Sequence, residues 1–96
     1  MNFKEKVFEA TKKISKGKVS TYKIIAKTIK NPKAYRAVGN ALNTNINKNV
    51  PCHRVIKSDG TLGGYRRGLK RKKEILRREG VEIKNDKIDL NKYLSV

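Results

Sequence analysis

The only cysteine of this chain, Cys52, is followed directly by its only histidine, His53, in the run Val50-Pro51-Cys52-His53-Arg54-Val55. A thiol is a strong nucleophile only as its thiolate, and an adjacent imidazole and nearby cations favour that form. One point of the chain thus holds its best nucleophile, its one near-neutral base and a guanidinium. The chemistry such a set can do is attack by sulfur, with His53 managing the proton. Taken singly, a free cysteine is more often a small buried apolar side chain, and a histidine more often a core residue bonded to backbone.

Several elements must position these residues. Phe3, Val7, Phe8, Thr11 and Ile14 recur at helical spacing, which predicts an amphipathic helix over 3–15, stopped by Lys16-Gly17-Lys18. Ser20 or Thr21 offers an N-cap for a short helix carrying Tyr22, Ile25, Ala26 and Ile29. Asn31-Pro32 breaks the chain, and Pro32 can open a third helix that runs to about Leu42. Two short helices around a tight turn resemble a helix-turn-helix, over about 20–44. The Asn-rich stretch 43–49 predicts a loop that leads into an active-site turn at 50–55. Ser58-Asp59-Gly60, flanked by Val55-Ile56 and Thr61-Leu62, predicts a small hairpin. Gly68 to Arg78 predicts a further helix with an apolar stripe and a basic face at Lys72-Lys73, closed by Gly80. The scattered apolar residues of the tail, 81–96, suit a short strand or helix that packs back.

A length of 96 residues suits a single domain, 1–96. Lys and Arg number 25 against 8 acids, a net charge of +17, and self-repulsion of that size points to a polyanionic partner. Nucleic acid comes first and an acidic membrane surface a distant second; a solvated lysine-rich surface is the plainer reading. One cysteine excludes an internal disulfide and fits a reducing compartment. There are too few Cys and His for a zinc site, and no metal or organic cofactor is expected. No apolar run approaches the ~20 residues that cross a bilayer. The first residues hold no hydrophobic block, so a cytoplasmic monomer is expected, with no membrane partner.

Four blocks in order carry a resemblance: NPKAYRAVGNA at 31–41, PCHRV at 51–55, the Ser58-x-Gly60-x-Leu62-Gly63-Gly64-Tyr65-x-x-Gly68-Leu69 loop, and Lys72-Lys73-x-x-Leu76-x-x-Glu79-Gly80. In register they resemble the O6-alkylguanine-DNA alkyltransferase family, the methylated-DNA–protein-cysteine methyltransferases, over about residues 1–80. The resemblance implies a mainly α, winged helix-turn-helix-like DNA-binding domain with a small hairpin. It is read as covering the catalytic C-terminal domain only. It also implies repair by direct reversal: an irreversible, single-turnover transfer of the alkyl (methyl) group from O6-alkylguanine in double-stranded DNA to Cys52.

The resemblance assigns roles residue by residue. Cys52 is the nucleophile, His53 its base through a water, Glu79 the group that orients His53, and Asn45 the steadying residue of the turn. At a helix C-terminus an acid is unfavourably placed, which by itself hints at a role for Glu79. The target base must leave the duplex. Tyr22 is expected to promote its rotation, Val55 to accept its amino group through the backbone carbonyl, Tyr65 to wall the pocket, and Arg66 to bring a backbone N–H to O6. Arg36 is expected to fill the gap in the stack. Lys33, Ala37, Gly39 and Arg54 complete the expected DNA contacts, the small residues suiting a helix in the minor groove, where little sequence is read.

The chain departs from the family pattern at three points. The stretch before Pro51 is one residue short, Tyr35 replaces a small residue, and Arg66-Arg67 replace small residues at the pocket lip. The two arginines are expected to favour methyl over benzyl lesions. The alternative function is that of a non-catalytic alkyltransferase-like protein, which binds the lesion and recruits other repair factors. Such relatives usually carry Trp at the cysteine position, and Cys52 argues against that class.

Overall fold

In the computed structural model, which describes residues 1–95, the chain forms five short α-helices and one two-stranded parallel sheet. Helix α1 spans Phe3–Lys12. Asn2 caps it, accepting from the Glu5 N–H while the Glu5 side chain accepts from the Asn2 N–H, a reciprocal capping box. It ends before the expected residue 15, because Lys13 and Ile14 close a tighter turn on the Ala10 and Thr11 carbonyls. Ile14 still reaches the core.

Strand β1, Ser20–Thr21, runs straight into α2, Tyr22–Thr28. Thr21 is the cap, its side chain accepting from the Ile24 N–H at 3.1 Å. Two bonds close α2, Lys30 N–H to Lys27 O and Asn31 N–H to Ala26 O, with Lys30 in the left-handed region at φ 62. This motif and the turn bond from Ala34 N–H to Asn31 O occupy the linker, so α3 spans Tyr35–Asn43 and does not start at Pro32. Helices α1, α2 and α3 pack around one core, which includes Val7, Ile25, Val38, Leu42 and Val55.

The expected hairpin is corrected. Strand β2, Val55–Ile56, pairs in parallel with β1, Ser20 opposite Val55 and Thr21 opposite Ile56. Residues 57–61 form only a tight turn, closed by Lys57 N–H to Thr61 O, and Thr61 bridges Lys87 of the tail. With its returning arm taken by the tail, no antiparallel ladder grows from Val55-Ile56.

Alternation along β2 divides the interior. Val55 points into the first core and Ile56 into a second, built with Val19, Leu62, Leu76 and Val81. Helix α4, Leu69–Arg78, contributes Leu76 to that second core. Gly80, at φ 94, ends it: Gly80 N–H bonds Arg77 O and Val81 N–H bonds Leu76 O, while Val81 and Leu76 share the second core. The tail packs back as expected. Ile88 and Tyr93, the latter in α5 (Leu90–Tyr93), complete the second core; Val19 N–H donates to Tyr93 O and Val19 O accepts from Ser95 N–H. Among the described residues no helix is long and apolar enough to cross a membrane.

Candidate active site

The strand between the two cores is preceded at once by a 3₁₀ turn, Cys52–Arg54, which carries the cysteine and histidine. Cys52 N–H bonds Val50 O at 2.8 Å, and Arg54 N–H bonds Pro51 O at 3.0 Å. From the end of α3, Asn45 grips the approach to this turn. Its amide donates to Asn47 O at 3.1 Å and Val50 O at 3.2 Å, and lies 3.6 Å from Cys52 Sγ. A donor aimed at sulfur interacts more strongly with a thiolate than with a thiol.

His53, Arg54 and Glu79 form a closed knot, Glu79 arriving from the C-terminus of α4. Glu79 Oε2 lies 3.0 Å from His53 Nε2. Arg54 donates to the same carboxylate twice, through Nε at 2.9 Å and Nη2 at 2.7 Å, and through Nη1 to Ile14 O at 2.8 Å. Burial alone would raise the Glu79 carboxyl, but the hydrogen bonds and charges of Arg54 and His53 outweigh it and hold it below its usual range. A carboxylate at Nε2 fixes the proton on that nitrogen and leaves Nδ1 as the free acceptor. Burial first, with the charges of Arg54 and Lys72 adding to it, lowers His53 against the opposing pull of Glu79, which favours the neutral imidazole, the form able to take a proton. The guanidinium of Arg54, expected among the DNA contacts, is here bonded to Glu79 and to Ile14 O, with the side chain 15% exposed.

Lys72 carries a second cluster that periodicity assigned to a solvent-facing basic side of the helix. It is fully buried. Its Nζ donates to Val55 O at 2.8 Å, Leu62 O at 2.6 Å and Gly64 O at 3.1 Å, tying α4 to β2 and to the loop after it. Burial pushes its amine down to about 7. A signal was available: Lys72 precedes Leu76 by one helical turn, on the stripe that faces the core. Because Val55 O already accepts from Lys72, only its second lone pair is free for the amino group expected there.

Tyr22, first residue of α2, lies across the same loop, its hydroxyl 3.4 Å from Gly64 O and its ring 5.8 Å from Lys72 Nζ. Burial and, after it, the proximity of Cys52 raise its pKa. Gly63 makes room for the ring: at φ 69, a Cβ there would stand 2.9 Å from the Tyr22 hydroxyl oxygen. Tyr65 is raised likewise, by burial and then Cys52, against Arg67 and Arg71.

Cys52 opens into two cavities. The larger, about 260 Å³, is lined by Tyr22, Gly39, Asn40, Gly63, Gly64 and Tyr65; the smaller, about 150 Å³, by Asn45, Lys48, His53 and Arg67 among others, and Tyr65 and Arg66 border both. A third cavity, about 390 Å³, continues from Tyr22 and Gly39 to Tyr35, Arg36 and Lys57. Along α3, Arg36, Ala37 and Asn40 are exposed, as is Lys33 before it. The outer face of α3 and the cysteine therefore belong to one continuous surface. Tyr35, 37% exposed, lies under Lys23, whose Nζ is 5.3 Å from the ring centroid.

Residues 2–81 match the model of the 6-O-methylguanine DNA methyltransferase, DNA binding domain. That match corrects the expectation of a catalytic C-terminal domain: the stretch matched is defined by DNA binding, and Cys52, His53 and Glu79 lie within it. The chain is 52% identical over 79 residues to a methylated-DNA–protein-cysteine methyltransferase of Methanosarcina acetivorans, covering 81% of this chain and 51% of the relative. It is 48% identical over 83 residues to that of Sulfolobus acidocaldarius, covering 85% and 52%. It thus spans about half the length of these two relatives. Among solved structures, it resembles S. pombe Atl1 in complex with damaged DNA containing O6-carboxymethylguanine (TM-score 0.87, 38% identity, 98% of this chain and 94% of that one). It also resembles Mycobacterium tuberculosis OGT in complex with DNA (TM-score 0.79, 42% identity, 83% and 49%).

Proposed function

The chain belongs to the 6-O-methylguanine DNA methyltransferase family, and from that premise we propose that it binds duplex DNA through the outer face of α3 and takes the alkyl group of a flipped O6-alkylguanine onto Cys52. The observation that carries this reading is the placement of one sulfur at the mouth of a cavity walled by Tyr22 and Tyr65, with a carboxylate-oriented neutral histidine as its sequence neighbour. In this reading α2 and α3 act as a helix-turn-helix laid in the minor groove, where Ala37 and Gly39 allow close approach and Arg36 fills the vacated stack. The extruded guanine enters the larger cavity.

His53 takes the thiol proton on Nδ1, through an intervening water, and Glu79 and Arg54 hold the ring in that tautomer. The sulfur attacks the O6-bound carbon. A C–S bond forms, the C–O6 bond breaks, and its electron pair stays on guanine, which regains a proton at N1. The net proton transfer is from thiol to guanine. Because a thioether is a stable end product, each chain acts once.

A second reading, lesion binding without transfer, is favoured by the likeness to Atl1 over 94% of that chain. Intact-mass measurement after incubation with an O6-methylguanine duplex separates the two. Transfer predicts a gain of one methyl on the native chain and none on Cys52→Ala. Tight, lesion-selective binding with no mass change on the native chain would replace the first reading with the second.

A further inference from the structure

Resting on the proposed entry of an extruded guanine into the larger cavity, we propose that the third cavity, about 390 Å³, is a subsite for the neighbouring nucleotide of the same strand. Tyr35 meets the deoxyribose of that nucleotide, and Lys23 and Lys57 meet its phosphates, which makes Tyr35 a positioning residue for the extruded base. The third cavity shares Tyr22, Gly39 and Lys57 with the larger one. Among the described residues Cys52 borders the larger cavity and not the third. The O6 atom and the sugar-bearing N9 lie at opposite ends of a purine. With O6 turned to the sulfur, the deoxyribose is turned away from it, toward the edge that the two cavities share. The strand continues from that edge.

The walls suit a nucleotide better than either of its parts. Tyr22 and Tyr35 supply aromatic surface for the apolar face of a sugar. Lys23, Arg36 and Lys57 supply three positive charges against one acid, Asp59. Asp59 Oδ1 is engaged within its own turn, accepting from the Thr61 N–H at 2.9 Å and the Thr61 hydroxyl at 2.6 Å. An inorganic anion would leave the rings unused, and an uncharged apolar ligand would leave the cations unused. With Arg36 in the stack, Lys23 and Lys57 remain for phosphate. Lys23 is already placed: its Nζ lies 5.3 Å from the Tyr35 ring centroid, an attraction that keeps a long side chain at the cavity wall. A side chain restrained before binding has less rotamer freedom to lose when a phosphate arrives. Tyr35 is 37% exposed, stands outside both cores and opens α3, so its ring is available to the strand and the fold does not depend on it.

The test uses Cys52→Ala as the background, so that no transfer intervenes. Dissociation constants are measured for a duplex with O6-methylguanine and for the same duplex with guanine. In the lesion duplex, a neutral methylphosphonate replaces the phosphate on one side of the lesion or on the other. At one of these positions it should weaken binding about tenfold when Lys23 is present, and should matter little in Lys23→Gln. Tyr35→Ala should weaken lesion binding roughly fivefold while leaving binding to undamaged DNA and the thermal midpoint of the free protein unchanged. Tyr35→Phe, which keeps the ring, should restore lesion binding. Methylphosphonate losses that are the same with and without Lys23 at both positions, or native-like lesion binding by Tyr35→Ala, would overturn the proposal. The emission of 2-aminopurine placed beside the lesion reports extrusion separately. No rise on binding means that the extrusion reading has failed and the subsite falls with it; a rise without coupling to Lys23 fails the subsite alone.

Discussion

Replacing Glu79 with Gln removes one negative charge from the centre of the His53–Arg54–Glu79 knot while keeping the shape of the side chain. Three N–H groups point at the native carboxylate, at 3.0, 2.9 and 2.7 Å. The Glu79, His53 and Arg54 side chains are 10%, 13% and 15% exposed, so the guanidinium left behind has little water to turn to. Hydrogen bonds to charged groups contribute about 1.5–3 kcal/mol each, and breaking a buried pair costs about 3–5 kcal/mol. Glutamine keeps one acceptor oxygen and the site is not fully closed, which brings the expected loss to about 2–4 kcal/mol. That is a large part of the roughly 5–15 kcal/mol of a domain, yet small enough to leave the variant folded at neutral pH.

Urea unfolding reads this directly. With a slope of about 1–2 kcal/mol/M, the midpoint should fall by roughly 2 M. Acid supplies the sign check. The Glu79 carboxyl is held below 4.5 in the folded chain, so its contribution is complete above that pH and disappears as pH falls through the folded value. The gap between native and variant midpoints should therefore close in acid. Methyl transfer should slow by about 10²–10⁴, the range of a positioned base, because an amide no longer fixes the Nε2–H tautomer. An unchanged midpoint at neutral pH, a gap that persists in acid, or an unaltered transfer rate would each refute the corresponding step of the reasoning.

Lys72→Met should cost about 3 kcal/mol, since three carbonyls lose their donor and the relief of a buried ammonium only partly compensates. In the native chain the amine is lowered from 10.5 to about 7, so the unfolded chain binds the extra proton between those values. This residue's contribution thus makes stability rise with pH across that window, and the rise should be missing from the variant's urea midpoints. Gly63→Ala should lose about 1–2 kcal/mol through its φ of 69, and should displace Tyr22, weakening lesion selectivity more than binding to undamaged DNA in a fluorescence titration. Lys30→Gly should do the opposite: relief of the left-handed strain at φ 62, about 1–2 kcal/mol, exceeds the extra chain entropy of glycine, for a net gain of roughly 0.5–1 kcal/mol by thermal unfolding.

Residues that neighbour one another along the chain account for the local features. The cysteine–histidine pair, the Thr21 cap, the Gly80 stop and the apolar faces of α1, α2 and α4 all rest on residues within a turn or two of one another, where spacing and dihedral preference act alone. Which distant groups meet is a property of the fold. A strand of two residues has too little pattern to choose a partner, so β2 pairs with β1 through packing against two cores and not with the arm after its own turn. The sequence marks Arg54 and Lys72 as cations but not where those charges go. Arg54 is drawn inward because the end of α4 brings Glu79 to it from 25 residues away. Lys72 is buried because β2 and the loop after it present three carbonyls with no other lysine in reach among the described hydrogen bonds. Desolvating a charge is tolerated only where its partners are already in place, and that condition belongs to the fold.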